Sequence, residues 1–470
     1  MRLLNTIICT LFSISIIAQT NSFDIKTISQ IGLKVIDIHT LNNEEPICDF
    51  ADAPEGCMGA TAINATKVPC RIVILEGEKT LYDSGEYEKG VSGATIKING
   101  NTTAYFSIEK NTPFKLKLQT KSDLLFRNDE RFADKEWRLI KDATSMNTIV
   151  GLKLSQLMNF EWTPAYTPCN VFINDDYRGC YLLIESVKRN SGSRIDVNKN
   201  GYIIERDPYW WSENKYFTTN YFAGSKGYRW TWKYPDEDDV TAEQEAYISD
   251  YINAFEQSIK NDTYEQYIDV ESFAKWVLAN DILGMRDSGG TNIYVSKYDN
   301  TDNSVLKMTN LWDFDSSYQF SVGQFSRVHD AAYDFYFNDL FNSKNQTFKN
   351  VYVELWNQLS PTLLSDITNF INNYINSEEG KALYLSRIQH FRRWKEYEIE
   401  TIKLEDNANK ILNWFNQHIP LLDQRINTAS NTISVYCSKK YTPLFNLFGQ
   451  KINKTNKGIY ICNGKKIIGK

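Results

Sequence analysis

The hydrophobic pattern changes its period along the chain, and this change constrains the fold more than any other feature. Between about residues 23 and 118, short alternating runs such as 71–75, 94–98 and 114–118 are separated by Gly and Asn turns, which predicts strands. Between about residues 350 and 430, apolar residues recur at helical spacing. A β-rich first part and a mostly helical last part predict an α+β protein with two lobes.

The middle of the chain mixes the two patterns. Residues 146–158 have apolar side chains at helical spacing, and residues 170–185 predict a hairpin that turns at Asn174-Asp175-Asp176. Residues 201–205 predict a further strand. The acidic run 235–239 then marks a boundary, after which helices are expected.

Two helix starts can be located from their capping residues. Thr241 is followed three residues later by Gln244, which is the pattern of a capping box and predicts a helix from there. A second helix is expected to start at Asp269 and to end near Met285.

Composition excludes some classes of function. The 470 residues suffice for two or three domains, and 42% of them are hydrophobic, which is typical of a globular protein. The net charge of −6 argues against a nucleic-acid partner, because phosphate contacts require concentrated Lys and Arg. Four scattered histidines, with no C-x-x-C spacing, argue against a structural zinc site.

The N-terminus is typical of an exported protein. Arg2 precedes a short apolar run from residue 7 to 18, which predicts a secretory signal peptide over residues 1–20 and no membrane span in the mature chain. Export permits disulfides, and the seven cysteines beyond the apolar run leave at least one unpaired. Cys169 and Cys180 flank the predicted hairpin turn, so we expect that they could face each other across its strands.

One group of residues carries the pattern of a phosphoryl-transfer site. Asn292 follows Asp287 by 292 − 287 = 5 positions, the Asp-to-Asn spacing of the protein-kinase catalytic loop. Asp313 follows a predicted strand, where a kinase carries its metal-binding carboxylate. Phosphoryl transfer needs oxygen ligands for magnesium and a carboxylate near the attacking hydroxyl, and these residue types supply both.

The same residues have a purely structural interpretation. A spacing of five occurs by chance in many proteins, and Asp287 and Asn292 would also suit a helix cap and a Gly-Gly turn. Asp313 and Asp315 would likewise suit a turn after a strand. Spacing alone leaves both interpretations open.

The surrounding motifs resemble the CotH family, exported atypical protein kinases first met as spore-coat components. The resemblance covers roughly residues 90–430. Its central motifs are Ile268-Asp269, Ser272-Phe273, Leu278-Ala279-Asn280-Asp281, Gly284, Asp287-Ser288, Asn292-Ile293-Tyr294, Lys297 and Trp312-Asp313-Phe314-Asp315, and two more are residues 179–185 and 201–205. The resemblance implies a kinase-like two-lobed fold and an ATP-dependent, Mg²⁺- or Mn²⁺-dependent kinase acting on Ser or Thr of secreted or surface proteins.

Within that resemblance, Asp287 corresponds to the catalytic-loop carboxylate. Asp313 corresponds to the magnesium ligand, with Asn292 as a second ligand by its spacing and Asp315 as a further candidate.

The phosphate-binding side of the site has competing candidates. Lys141 matches the family's W-x-L-x-K pattern and is the first candidate for the phosphate contact, and Lys117 is the second. Glu185 is expected near the nucleotide, or else as a strand-end residue paired with Lys188.

Two departures from the family pattern fall on this phosphate side. Asn99 stands where the family has an arginine, and Asn147 where the family's first helix begins with Arg-Asn. They favour an alternative in which the chain is a catalytically impaired surface binding or structural protein. A carbohydrate-acting hydrolase is a third alternative, but aromatic residues at strand and helix spacing are more often core than sugar-binding.

The end of the chain differs from the rest. Residues 458–462 and 465–468 around Asn463-Gly464 predict a β-hairpin with a type I′ turn. Residues 445–466 resemble the C-terminal sorting tails of exported Bacteroidetes proteins, which implies a secreted or surface location. The predicted organisation is a signal peptide (1–20), a β-rich region (21–92), a CotH kinase-like domain (93–430) and a small β tail (431–470).

Overall fold

Strands form most of the first half of the chain, and helices most of the second, in the computed structural model. It describes residues 23–57, 59–107, 111–141, 146–220, 228–285, 288, 290–318, 335–395 and 403–436, and four short strands between 444 and 469. The predicted signal peptide, residues 1–20, lies outside the described residues.

Eight strands form the larger sheet, in the order β1-β9-β10-β8-β7-β6-β4-β5, and β1 also pairs with β4. Their bounds are β1 Lys34–Thr40, β4 Val68–Glu76, β5 Lys79–Asp83, β6 Ala94–Ile98, β7 Phe114–Ser122, β8 Asp134–Ile140, β9 Tyr166–Ile173 and β10 Asp176–Glu185, with β2 (Asp49–Asp52) and β3 (Ala60–Ile63) as a separate ribbon. All pairs except the parallel pair β1–β9 are antiparallel. Strands from residues 34–83 thus share one sheet with strands from residues 94–185.

Alternation along these strands determines which side chains form the core. Ile96, Leu116, Trp137 and Leu139 are buried in one cluster on one face of the sheet. The residues between them, at odd positions in β6 and β7 and even positions in β8, therefore lie on the opposite face.

Five antiparallel strands form a second sheet, in the order β12-β13-β11-β14-β15. Their bounds are β11 Tyr202–Arg206, β12 Tyr216–Thr218, β13 Arg229–Tyr234, β14 Ile293–Lys297 and β15 Leu306–Met308. The strand expected at 201–205 is confirmed and lies at the centre of this sheet.

The helices begin and end largely where the sequence indicates. They are α1 Ile25–Ser29, α2 Thr102–Ser107, α3 Asn147–Leu157, α4 Ala242–Lys260, α5 Val270–Leu283, α6 Phe337–Asn342, α7 Thr347–Asn376, α8 Glu378–Trp394 and α9 Leu404–Tyr436. Thr241 and Gln244 form the predicted capping box, and Asp269 caps α5 by accepting from Ser272 N. The α+β class is confirmed. Within the part of the chain that is described, no helix is both long enough and apolar enough to cross a membrane.

Contacts divide the chain into a first unit that ends at Ile419 and a second that begins at Pro420. The second unit contains the end of α9 and a sheet of four strands in the order β17-β16-β18-β19, with bounds β16 Leu444–Phe445, β17 Lys451–Ile452, β18 Gly458–Cys462 and β19 Lys465–Gly469. The expected hairpin is confirmed by the pairing of Cys462 with Lys465. Its turn residues lie outside the described residues.

The Cys169–Cys180 pairing expected from the sequence is wrong, although the hairpin itself is confirmed. Asn174 and Asp175 have φ of 51° and 64° and connect β9 to β10 in the expected turn. A bulge between Tyr177 and Gly179 then shifts the register by one residue, so Tyr181 lies opposite Cys169, and Cys180 lies opposite Asn170. Because a shift of one residue reverses the face of every following side chain, the two thiols lie on opposite faces of the sheet and are free.

Large aromatic side chains belong mainly to the core. Trp137, Trp230, Trp276 and Trp356 are among the largest fully buried side chains. These tryptophans therefore cannot line a sugar-binding groove, and this weakens the hydrolase alternative.

Candidate functional site

The hairpin of β14 and β15 brings Asn292 and Asp313 together. Asn292 directly precedes β14, and Asp313 follows the end of β15, so pairing of the two antiparallel strands places them at the same end. Asn292 Nδ2 donates to Asp313 Oδ2 at 3.4 Å, and the Asp313 side chain is exposed. Two predicted metal ligands, 21 positions apart in the chain, thus lie side by side.

The backbone at both residues is held in the left-handed region. The φ angles are 59° at Asn292 and 60° at Asp313. This conformation costs a residue with a Cβ roughly 1–2 kcal/mol, although Asn and Asp tolerate it best. Such strain persists only where neighbouring structure imposes it, and it is enriched at functional sites.

Phe314 anchors the strained segment to the core. Its ring is 2% exposed and packs directly on Gly151 in α3, where an added Cβ would lie 2.1 Å from Phe314 Cδ1. Asn147, at the start of the same helix, donates from Nδ2 to Ser317 O at 3.5 Å. The helix that carries one of the family departures therefore supports the segment that carries Asp313.

The loop after α5 is tied to the same segment. Gly284 ends α5 in the left-handed conformation, with φ of 59°. Tyr318 N donates to Leu283 O at 3.1 Å, and Ser317 Oγ lies 2.8 Å from Met285 Sδ. Asp287 itself lies outside the described residues, but both ends of its loop, Met285 and Asn292, contact the 313–318 segment.

Three cations form a row across the larger sheet on the face away from its core. Lys97, Lys115 and Arg138 are directly paired across β6, β7 and β8. The Arg138 guanidinium lies 5.7 Å from the ring of Trp312, the residue before Asp313, and Nη1 donates to Asn99 Oδ1 at 3.2 Å. We call these three residues the cationic row.

Burial disfavours the charged forms of the two lysines in this row. Burial, which disfavours the charged amine, lowers the pKa of Lys115 to about 8 despite its ion pair with Glu136 at 2.8 Å. Burial also lowers the pKa of Lys97, and the nearby Lys67 and Arg138 contribute. An anion bound beside Lys97 and Lys115 would therefore raise the pKa of both amines.

The two lysines predicted to contact phosphate occupy different places. Lys117 lies on the same face as the cationic row, one residue pair farther along β7, with its Nζ 3.6 Å from Glu136. Lys141 directly follows β8 and is half-buried. Sequence reasoning missed Arg138, because its proximity to Lys97 and Lys115 depends on strand pairing.

Glu185 has an environment typical of a structural residue. It is 1% exposed at the end of β10, and Arg127 Nη1 donates to its Oε1 at 2.9 Å. Trp162 Nε1 and Ala165 N donate to its Oε2 at 3.2 and 3.0 Å. Lys188, suggested as its partner, instead lies 3.3 Å from Asp134.

The second sheet carries a group of carboxylates that the sequence did not single out. Glu205 and Asp207 are 8% and 7% exposed, and Lys233 lies 2.8 Å from Glu205. Burial and the neighbouring Glu205 raise the pKa of Asp207 from its ordinary 3.8 to about 7. Glu213 belongs to the same group, and its charge also acts on Lys97 of the cationic row.

The donor atoms at Asn292 and Asp313 suit a hard cation. An amide oxygen and a carboxylate are the ligands that Mg²⁺ takes in proteins, usually with retained waters and substrate phosphates. Asp315 is exposed two residues farther on. Among the described residues, which exclude Asp287, no group of three or more His, Cys, Asp or Glu forms a ready-made metal site. The donor atoms of Asn292 and Asp313 therefore fit a hard cation such as Mg²⁺ that takes its remaining ligands from elsewhere.

Comparison with known protein families identifies the family of this chain. The family model described as CotH kinase protein matches residues 96–419, more than half of the chain, and the chain belongs to the CotH family. No curated protein matches the chain significantly. The resemblance found around Asp287 and Asp313 is thus confirmed at the level of the family, and the sorting tail stays a prediction.

Proposed function

We propose that this protein is an exported, magnesium-dependent CotH-type kinase that transfers the γ-phosphate of ATP to Ser or Thr of secreted or surface proteins. The observation that carries the proposal is the 3.4 Å approach of Asn292 to Asp313 on a strained, core-anchored segment. Membership of the CotH kinase family supports it. We also propose that the chain has two kinase-like lobes. The larger sheet would lie on one side of the nucleotide and the α5–β15 region on the other.

The residues have distinct roles in this reaction. Asp287 would accept the proton of the acceptor hydroxyl, whose oxygen forms the new bond to the γ-phosphorus as the bond to the β–γ bridging oxygen breaks and ADP leaves. Asn292 Oδ1 and the Asp313 carboxylate would hold Mg²⁺, with Asp315 as a further candidate. Bound Mg²⁺ neutralises the phosphates and the charge that develops during transfer.

On the phosphate side, Arg138 joins Lys141 and Lys117 as a candidate. Its contacts with Trp312 and Asn99 support this role, because they connect it to both the Asp313 segment and the position where the family has an arginine. A guanidinium presents several donors in a fixed plane and suits phosphate oxygens. The cationic row would thus supply charge that Asn99 lacks.

The decisive experiment uses the purified mature protein, labelled ATP and MgCl₂, with a Ser/Thr-containing protein mixture as acceptor. We expect incorporation by the wild type and a loss of at least about 100-fold in Asp313→Ala, since Mg²⁺ would lose a charged ligand. Asp302→Ala is the matched control, because Asp302 is an exposed carboxylate in the connection between β14 and β15. Equal incorporation by wild type and Asp313→Ala would overturn the site assignment.

The alternative is a CotH-fold surface binding or structural protein with an impaired site. Asn99 and Asn147 favour it, since both replace polar family residues, Asn99 beside Arg138 and Asn147 beside the segment that carries Asp313. Thermal melting separates the two, because a ligand that binds the native state raises the melting temperature. A wild type whose melting temperature is unchanged by millimolar ATP and MgCl₂, and which incorporates no label, would favour the alternative.

A further inference from the structure

The strongest feature outside the proposed catalytic residues is a pocket on the polar face of the larger sheet. It has a volume of about 450 Å³ and lies between β7, β8 and the residues that follow β10. Its lining contains five cations, namely Lys117, Lys121, Lys135, Lys188 and Arg189, and three carboxylates, including the exposed Asp236. We call it the basic pocket.

The two inner carboxylates of this pocket are already neutralised. Asp134 lies 3.3 Å from Lys188 and 3.9 Å from the buried Arg194, and Asn190 Nδ2 donates to it at 3.0 Å. Glu136 lies 2.8 Å from Lys115 and 3.6 Å from Lys117. Each carboxylate thus has two cationic partners.

The cations at the mouth therefore carry the excess charge. Lys121 is exposed and Lys135 half-buried, and the structure records no ion pair for either among the described residues. The chain as a whole has a net charge of −6, so the positive charge of this pocket is opposite to that of the whole protein. Local charge of this kind attracts anionic partners and orients them on approach.

The pocket adjoins the proposed site of phosphoryl transfer. Lys117 pairs with Glu136, and Lys115 pairs with Arg138, on the same face of the same two strands. Residues two apart in a strand are about 7 Å apart, so the pocket begins about one residue pair from the cationic row, whose Arg138 contacts Trp312. A peptide of a few residues can span that distance.

From this placement we infer that the basic pocket binds an Asp- and Glu-rich segment of the acceptor protein, next to the Ser or Thr that is phosphorylated. The inference rests on the proposed function for its catalytic consequence, but not for binding itself. Carboxylates of the segment would pair with Lys121 and Lys135, and the exposed Ser191 hydroxyl would donate a hydrogen bond at the pocket wall. An acidic flank would then lower KM for the acceptor and leave kcat unchanged, since it contributes equally to ground-state and transition-state binding.

Binding is tested first, without nucleotide, by fluorescence anisotropy on the full mature protein. Two labelled 12-residue peptides share a central Ser and carry Glu and Asp, or Gln and Asn, at the other positions. We expect the acidic peptide to bind about tenfold more tightly than the neutral one, with an affinity that falls as NaCl is raised. Lys121→Glu/Lys135→Glu should abolish the difference. Lys403→Glu/Lys410→Glu, which makes the same charge change at exposed lysines at the start of α9, should preserve it.

Three outcomes would overturn the inference, and a fourth would overturn the proposed kinase function instead. Equal binding of the two peptides, or an unchanged preference in Lys121→Glu/Lys135→Glu, excludes the pocket as the recognition element. Binding of a sulfated polysaccharide with no binding of the acidic peptide would assign the pocket to a different partner. Phosphorylation of both peptides with equal KM would support the proposed kinase function and contradict only the role of the basic pocket in substrate binding. Binding of the acidic peptide without any phosphoryl transfer would support the role of the pocket and contradict the kinase function.

Discussion

Glu185 ends β10 and Asp313 lies five residues beyond the end of β15 (313 − 308 = 5), and these two carboxylates have opposite surroundings. Glu185 is 1% exposed, with both oxygens accepting hydrogen bonds from Arg127, Trp162 and Ala165. Asp313 is exposed, at a φ of 60°, with an amide beside it and a buried phenylalanine after it. In the sequence, each of the two residues is an acidic residue that ends or follows a predicted strand within a family motif.

Glu185 stabilises the fold through its own hydrogen bonds, whereas the position of Asp313 is maintained by residues around it. Every bond of Glu185 lowers the free energy of the folded state, and an external ligand would have to replace those bonds. Asp313 contributes little to packing, and the packing of Phe314 instead maintains its backbone. Carboxylates of the second kind are available to a cation.

The largest effect should come from Glu185→Gln. Removing its charge leaves the guanidinium of Arg127, and that of the fully buried Arg194 at 3.7 Å, without this counter-charge. We expect a loss of roughly 2–4 kcal/mol in the free energy of unfolding, measured by urea denaturation. Asp313→Asn should change it by less than about 0.5 kcal/mol, because the side chain is exposed. Similar losses in the two variants would contradict the comparison.

The next effect tests whether packing holds Asp313 in place. Gly151→Ala introduces a methyl group that overlaps the ring of Phe314, and we expect a loss of about 1–3 kcal/mol together with weaker ATP–Mg²⁺ binding. The double variant Gly151→Ala/Phe314→Leu gives the methyl group room and should recover part of both. If Gly151→Ala lowers stability but leaves nucleotide affinity unchanged, Phe314 does not position Asp313.

A smaller effect should follow from Arg138→Ala. Loss of the guanidinium beside Trp312 should weaken ATP–Mg²⁺ binding about tenfold by isothermal titration, with Arg138→Lys intermediate. Arg71→Ala, which removes an arginine paired with Asp83 on the same sheet, provides the control. An unchanged affinity in Arg138→Ala would return the phosphate contact to Lys141 or Lys117.

The smallest effect concerns Asp207, which is buried like Glu185 but surrounded by other acids. Because its folded pKa of about 7 lies above the ordinary 3.8, its protonation stabilises the fold fully below pH 4, and this contribution is lost as the pH rises toward 7. Asp207→Asn should therefore raise the melting temperature by roughly 1–3 °C at pH 8, with little change at pH 4. A gain that is the same at both pH values would contradict the raised pKa.

Local signals in the sequence were sufficient for much of the fold. The capping residues Thr241 and Asp269 located two helices, and Asn174-Asp175 located a hairpin, because each acts through bonds within a few residues. The family motifs likewise indicated Asn292 and Asp313. These features depend on neighbours in the chain.

The features that the sequence did not reveal depend on contacts between segments that are far apart in the chain. Lys97, Lys115 and Arg138 are far apart in the chain, and only the register of β6, β7 and β8 makes them neighbours. The partners of Glu185 come from residues 127, 162 and 165, which no local pattern connects to it. A single bulged residue was enough to overturn the expected relation between two cysteines.

The bulge in β10 also has a consequence for the redox conditions under which the protein can be produced. Cys48, Cys57, Cys70, Cys169 and Cys180 are all free thiols, and the register keeps the last two on opposite faces of a buried sheet. The described part of the first unit therefore contains no disulfide and requires no oxidative step to reach its native topology. It should fold in a reducing bacterial cytoplasm when it is expressed without residues 1–20, and it should keep its melting temperature in millimolar dithiothreitol.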